Sequence, residues 1–322
     1  MGGDRPALEI FPAVIQLSQA FGDRHTFVAF AHHSVVSDLK TQIDQAHLKH
    51  PHSIELVTTE SFIGMTESPL LAIRRKKNSS MAAGMRLLAQ KKIDAFVSMG
   101  NTGALVATAM LHLPKLDSIE RCALLVMLPT AAGDVAVLDV GASIAPKPEH
   151  LLDWARLAIS YRKSMHGIKN PTVGLLNVGV EEIKGTHWHK KAYSLLESEI
   201  KDDFLGNMEG REVFLGKIDV LVTDGFTGNV FLKTCEGVAS FLTDYLADQI
   251  PKLGGPKEQP IVGHLHQQFN YSQRPGALLC GVDGIVVKCH GHSNLDAIAN
   301  GILGAIKLAE NKTIERMKSA GW

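Results

Sequence analysis

Two hydrophobic rhythms alternate along the chain. Compact, β-branched runs read as buried strands at residues 26–30, 53–57, 122–128, 136–140, 172–177 and 218–222, with another around Phe96. Between them, apolar residues recur every three or four positions, as on one face of a helix. Val14, Leu17 and Phe21 mark such a face over residues 12–21, and residues 37–46, 80–90 and 102–113 repeat the pattern. Pro12 suits a first helical turn, where its missing N–H costs nothing. Strand–helix alternation of this kind predicts an α/β fold with mostly parallel sheets flanked by helices.

Two places interrupt the rhythm. Pro146-Lys147-Pro148-Glu149 opens a new helix after the turn at Gly141. The Gly/Pro-rich run 254–260 separates two apolar helical segments, 238–250 and 261–269. This second break predicts a helical hairpin, 238–270, protruding for contact with a second copy or a membrane surface, or ending in a plain solvated tip. No tandem repeat or low-complexity stretch is present.

The densest chemistry sits where strands run into glycine turns. After 218–222 comes Thr223-Asp224-Gly225-Phe226-Thr227-Gly228-Asn229, then a helical run. Strand 93–98 leads likewise into Met99-Gly100-Asn101-Thr102-Gly103, and 284–289 into His290-Gly291-His292-Ser293-Asn294. Free N–H groups and the positive end of the helix dipole gather at such turns, and glycine lets backbone approach an anion. Three of them predict one anion-binding cleft. A fourth stretch, 174–185, places Lys184 between flexible glycines. Lys184 then serves as a point charge on phosphate or a developing oxyanion, or is simply a solvated lysine. Asp139 ends a buried strand, where α/β folds place ligands, or else caps its own turn. The basic run Arg74–Lys77 is an anion or acidic-partner site or a solvated surface, with Ser79 or Ser80 capping the next helix.

Composition narrows the chemistry. With 33 basic and 33 acidic residues in 322, the chain carries no net charge to favour nucleic acid, and its length fits one large or two smaller α/β domains. The 4 cysteines lack C-x-x-C spacing and read as reduced core thiols. No leader-like segment or membrane-length apolar run is visible, so the expectation is a soluble protein or one lying on a membrane surface. His187 and His189, and His290 and His292, have no carboxylate or cysteine at ligand spacing, so no metal is expected. Nucleotide P-loop, dinucleotide and nucleophile-elbow motifs are absent.

Taken in order, M-G-G-D at Met1, the 75–81 segment, S-M-G-N-T-G-A at Ser98 and L-D-V-G-A at Leu138 resemble the phosphate acyltransferase (PlsX) family. So do N-P-T-V-G-L-L-N-V-G at Asn170, E-E-I-K-G at Glu181, F-L-G-N-M-E-G-R-E at Phe204, D-G-F-T-G-N-V-F-L-K-T-C-E-G at Asp224, and G-A-L-L-C-G-V-D-G-I-V-V-K-C-H-G-H-S at Gly276. The strings follow family order over nearly the whole chain. The resemblance implies transfer of a fatty acyl group from acyl carrier protein to inorganic phosphate, giving acyl phosphate for phospholipid synthesis. It also implies a fold like that of isocitrate and isopropylmalate dehydrogenases and phosphotransacetylases. It further implies a homodimer without cofactor, cytoplasmic or loosely held at the inner face of the membrane, and contact with a downstream acyltransferase. There are departures. Ser143 stands where the family has an amide, Cys122 where it has a proline, and His292 where it has a small residue. A short strand of the type I-A-V-D-A usually precedes M-G-G-D, which implies a start upstream of Met1 or a sheet one strand short.

A thioester needs no enzyme nucleophile, so positioning and preorganised donors are the expected sources of rate. Under the resemblance, N–H groups near Gly100–Gly103 and Gly228–Asn229 hold phosphate and Lys184 neutralises charge, while Asn229 or His290 donates to the thioester oxygen. Asp4, Arg75, Ser80, Asn101, Thr102, Asp139, Asn177, Glu181, Asp224 and Ser293 complete the candidate substrate-binding set. The acyl chain needs an apolar channel beside the hairpin, and the 74–77 cluster meets the acidic carrier protein. Rival readings are a phosphotransacetylase-like enzyme acting on short acyl-CoA, a metal-dependent dehydrogenase of the related fold, and a non-catalytic membrane-surface scaffold.

Overall fold

A computed structural model describes residues 1–116, 119–252, 263 and 275–320. The elements run α1 (Ala7–Phe21), β1 (Phe27–His32), α2 (His33–Gln45), β2 (Ile54–Thr59), α3 (Pro69–Arg75), α4 (Ser80–Ala89), β3 (Ala95–Ser98) and α5 (Thr102–His112). Then come β4 (Ala123–Thr130), β5 (Gly133–Leu138), α6 (Pro148–His166), β6 (Val173–Leu176), α7 (His187–Glu199), β7 (Phe204–Met208), β8 (Val220–Val222) and α8 (Gly225–Lys252). The chain closes with β9 (Ala277–Cys280), β10 (Ile285–Lys288), α9 (Leu295–Glu310) and α10 (Thr313–Ala320). Two compact units divide it: unit 1 is Met1–Leu116 with Pro275–Lys312, and unit 2 is Asp117–Arg274 with Thr313–Trp322.

In unit 1, β1 pairs with β2 in parallel, from Phe27 opposite Ile54 to His32 opposite Thr59. β3 pairs with β10 in parallel, and β10 with β9 antiparallel. Helix α1 begins five residues before the predicted start, so Pro12 lies inside it rather than in its first turn. The missing Pro12 N–H leaves the Leu8 carbonyl without its helical donor. Gln42 of α2 supplies one instead, its Nε2 donating to Leu8 O at 3.2 Å. Burial of Ile10, Phe11, Ala13 and Leu17 then carries the helix through the proline.

In unit 2 the strand order is β4-β5-β8-β6-β7, with β4–β5 antiparallel and the other pairs parallel. The antiparallel pair departs from the parallel rule because only a short turn joins β4 to Gly133, whose φ of 118° suits glycine. Val135–Leu138 and Val220–Val222 are wholly buried, the continuous apolar run expected of strands covered on both faces. Long α6 buries Trp154, whose indole N–H donates to Arg121 O at 2.8 Å, and ends at Gly167 in the left-handed region. Because β5, β8, β6 and β7 run in one direction, their carboxyl ends share one edge and bring Asp139, Thr223, Asn177 and Glu209 to it. The hairpin's first arm, 238–250, is the distal half of the single helix α8, and its second arm, 261–269, lies outside the described residues apart from residue 263. No helix among the described residues is long and apolar enough to cross a membrane.

Candidate functional site

Asp139 organises the edge of unit 2. Its Oδ1 accepts the N–H groups of Leu124 (2.8 Å), Gly141 (3.0 Å) and Ala142 (2.9 Å), and its Oδ2 accepts that of Ser143 (2.6 Å). Burial pushes this carboxyl up to about 6, against the pull of the four donors. The residue is fully buried, so its oxygens serve the turn, and the capping alternative describes it better than direct ligand binding. Ser143, at the family's amide position, donates its hydroxyl to Cys122 O at 3.3 Å. Helix α8 is packed hard onto this turn. A Cβ at Gly228 would collide with the Asp139 carbonyl, and one at Gly225 would come 2.6 Å from Asp139 Oδ2.

The 223–229 turn does not offer its first N–H groups to a ligand. Asp224 Oδ1 accepts from Phe226 N and Thr227 N, both at 2.9 Å, and Oδ2 from the Thr227 hydroxyl at 2.6 Å. Gly225 N donates to Ser143 O at 2.9 Å. The helix N-terminus thus carries the chain's own carboxylate where the sequence reading placed an external anion. Asn229 is different. It is half-buried and packs against Gly141, and its amide has no hydrogen-bond partner among the described residues.

Lys184 stands on a braced loop. Asn177 Nδ2 donates to Asn207 Oδ1 (3.0 Å) and Lys184 O (3.3 Å), and Asn177 Oδ1 accepts from Val178 N (2.8 Å). Asn207 Nδ2 donates to Glu181 O at 2.9 Å, which also accepts Lys184 N at 3.0 Å. Asn177 and Glu181 therefore shape the loop, Glu181 through its carbonyl. The Lys184 side chain is exposed and its ammonium has no ion-pair or hydrogen-bond partner among the described residues. Gly185, at φ 82°, sits tight on Asn177 and His189. His189, whose imidazole burial pushes down while the Asp224 carboxylate pulls up, links this loop to the α8 turn. Asn207 was missed as a functional residue. Its signal in the sequence is an amide amid an apolar strand, which must find partners once buried. Asn207→Ala is expected to lower turnover about tenfold while costing about 1–2 kcal/mol of stability, measured as kcat beside urea unfolding.

Unit 1 holds the other two turns. Asn101 caps α5, its Oδ1 accepting from Ala104 N (3.0 Å) and its Nδ2 donating to Met65 O (3.0 Å) and Glu67 O (3.1 Å). The N–H groups of Thr102 and Gly103, the first two helical positions, have no acceptor among the described residues. Gly100 N donates to Ser98 Oγ at 3.1 Å. Asp4 braces the last turn: its N–H donates to Gly291 O at 3.1 Å, and its Oδ2 lies 3.1 Å from His292 Nδ1. His290 is half-buried beside them. Ser293 is buried and its hydroxyl has no partner among the described residues. Arg75 is exposed at the end of α3. Within its basic run, Lys76 is taken by Glu67 Oε1 (2.6 Å) and Phe62 O (2.9 Å). Ser79, not Ser80, caps α4. Ser80 is buried and lines a cavity among β1, β3, α1 and α9.

Comparisons with known proteins show the family and the fold. Residues 1–316 match the family described as "Fatty acid synthesis protein". The phosphate acyltransferase of Chlamydia caviae is 41% identical over 322 residues, covering 99% of this chain and 96% of that one. The chain belongs to the phosphate acyltransferase (PlsX) family. A phosphate acyltransferase from Chlamydia trachomatis serovar L2 is also 41% identical, over 98% of this chain and 94% of its own. Among solved structures, a phosphotransacetylase from Streptococcus pyogenes (TM-score 0.59) and the EutD phosphotransacetylase from Staphylococcus aureus (0.58) each match 95% of this chain and 91% of theirs, at 14% identity. That likeness is one of fold. Phosphate acyltransferases are acyltransferases, and the family match runs over residues 1–316 of this chain.

Proposed function

We propose that this acyltransferase moves a fatty acyl group from the thioester of acyl carrier protein to inorganic phosphate. A phosphate oxygen adds to the thioester carbon, the C–S bond breaks, and the carrier thiol leaves with a proton as acyl phosphate forms. The observation that carries this reading is Lys184, an unpaired ammonium on a loop held by the Asn177–Asn207 amide pair. In this reading its charge neutralises phosphate, and the unpartnered amide of Asn229 is the donor for the thioester oxyanion. The free N–H groups of Thr102 and Gly103 and the Ser293 hydroxyl are further candidate anion donors in unit 1. Exposed Arg74, Arg75 and Lys77 favour an acidic carrier protein. Val238, Phe241, Leu242 and Tyr245 leave an apolar stripe open on α8, which we assign to a second copy of the chain, working in the cytoplasm.

The test incubates the protein with long-chain acyl carrier protein thioesters and phosphate, trapping acyl phosphate with hydroxylamine. Phosphate-dependent hydroxamate is expected, and acetyl-CoA should be a poor donor. A preference for acetyl-CoA would move the protein to the phosphotransacetylase reading, and carrier binding without hydroxamate would leave only a scaffold.

A further inference from the structure

Three segments at the carboxyl ends of β5, β6 and β8 turn large apolar side chains outward. Ile144 stands on the turn after β5, Val178, Val180 and Ile183 on the loop after β6, and Phe226 and Val230 on the first turns of α8. All six are more than half exposed, from Val230 at 51% to Val178 at 80%, while Val173, Leu175 and Val220–Val222 in the strands beneath are wholly buried. The core is complete without them, and apolar surface gathered in one place marks a binding site. Hydrogen bonds hold the three segments side by side. Gly225 N donates to Ser143 O at 2.9 Å, and Phe226 and Ile144 each follow directly on one of that bonded pair. The indole N–H of Trp188 donates to Pro146 O at 2.7 Å, tying the start of α7, where the β6 loop ends, to the β5 turn.

We propose that these six side chains form the wall on which the acyl chain of the thioester donor lies, and that Ile183 and Phe226 in particular set a preference for long chains; this rests on the acyltransferase function proposed above. The groups assigned there to the reacting centre sit among the wall residues. Lys184 follows Ile183, and its Cγ and Cδ stand 3.0 and 3.3 Å from where a Cβ on Gly179, between Val178 and Val180, would be. Its apolar stem thus rests on the wall while its charge reaches beyond it. Asn229 precedes Val230 and packs against Gly141, three residues before Ile144. A carbonyl held at Asn229 and Lys184 therefore has apolar side chains on every segment around it, which is where the first carbons of its chain must go. Other occupants fit less well. Exposed Glu181, Glu182 and Lys184 interleave with Val180 and Ile183. The core of a protein–protein interface is depleted of such charges, and the two carboxylates repel an anionic lipid surface. A single neutral chain passes between them and meets only the apolar groups.

The test compares hexadecanoyl and butyryl thioesters of acyl carrier protein as donors to phosphate, for the wild-type protein and for Ile183→Ser, Phe226→Ser and Phe226→Leu. Both serine variants are expected to lose about tenfold in kcat/KM for the hexadecanoyl donor while holding the butyryl donor within about twofold, the discrimination typical of a lost apolar contact. The KM for phosphate should not move, and Phe226→Leu should keep the long-chain preference. Equal loss on the two donors, no loss on either, or a serine variant that changes oligomeric state by sedimentation would each overturn the proposal, the last by giving the surface to a second copy of the chain. Wild-type protein that forms no hydroxamate from either donor would bring down the acyltransferase function and the wall with it. Hydroxamate from wild type with unaltered chain-length selectivity in the serine variants brings down the wall alone.

Discussion

Lys184→Ala is expected to cut acyl phosphate formation by about 100- to 1000-fold, the loss typical of one preorganised oxyanion donor. The unfolding midpoint should not move. Lys184 is exposed, its ammonium has no partner among the described residues, and the loop is shaped by Asn177, Asn207 and the Glu181 carbonyl rather than by the lysine. The loss should divide between a higher KM for phosphate and a lower kcat, since the proposed role has the charge meet both the bound anion and the developing oxyanion. Lys184→Arg keeps the charge but moves it to a planar fork, so it should restore part of the rate. Near-normal turnover in the alanine variant would remove Lys184 from the scheme and leave Asn229 and the unit 1 donors to carry it.

The largest stability effect is expected at Asp139. Asp139→Ala strands the N–H groups of Leu124, Gly141, Ala142 and Ser143, each costing about 1–3 kcal/mol when buried without an acceptor. A total loss of at least about 4 kcal/mol, read by urea unfolding, is a large share of a domain's usual stability. Asp139→Asn keeps the three bonds to Oδ1 and strands only the Ser143 donor, so its loss should be smaller. The two variants also separate by pH. With its pKa raised to about 6 from 3.8, folded Asp139 holds its proton more tightly than the unfolded chain does. Its contribution to stability is therefore full below about 4 and is lost as pH rises through 6, a fall on the order of 3 kcal/mol. The asparagine variant, having no proton to lose, should not show that fall. An unchanged pH profile would mean that the four donors, not burial, set the carboxyl's affinity for its proton.

Strand–helix alternation made the α/β fold readable because each signal was local: β-branched runs for β5 and β8, a three-to-four spacing for α4 and α5. Pro12 misled for the same reason. Its missing N–H is a local fact, whereas the side chain that compensates, Gln42, is thirty residues away. At the site, the glycines of the 223–229 turn were read as places where backbone approaches an anion. What they approach is Asp139 of the same unit, a partner invisible without the pairing of β5 with β8. Asp224 carried an ambiguous signal, since an acidic residue before a helix is equally an N-cap and a ligand contact, and here the cap wins. Lys184 and Asn229 were singled out through glycine context. Asn207 was not, because its role exists only once β6 and β7 lie side by side.

The Leu8–Gln42 bond also constrains the order in which this sequence can change. With proline at position 12, the donor from position 42 is the one the Leu8 carbonyl receives, so replacing Gln42 first leaves a part-buried acceptor without a protein donor. If residue 12 first regains a backbone N–H, the helix supplies its own donor and position 42 is released to drift. The two positions are thus epistatic, and a double-mutant cycle on Pro12→Ala and Gln42→Ala should return a coupling of about 1 kcal/mol. A brace across one proline is thus also a rule about which neighbours of this sequence in sequence space remain folded.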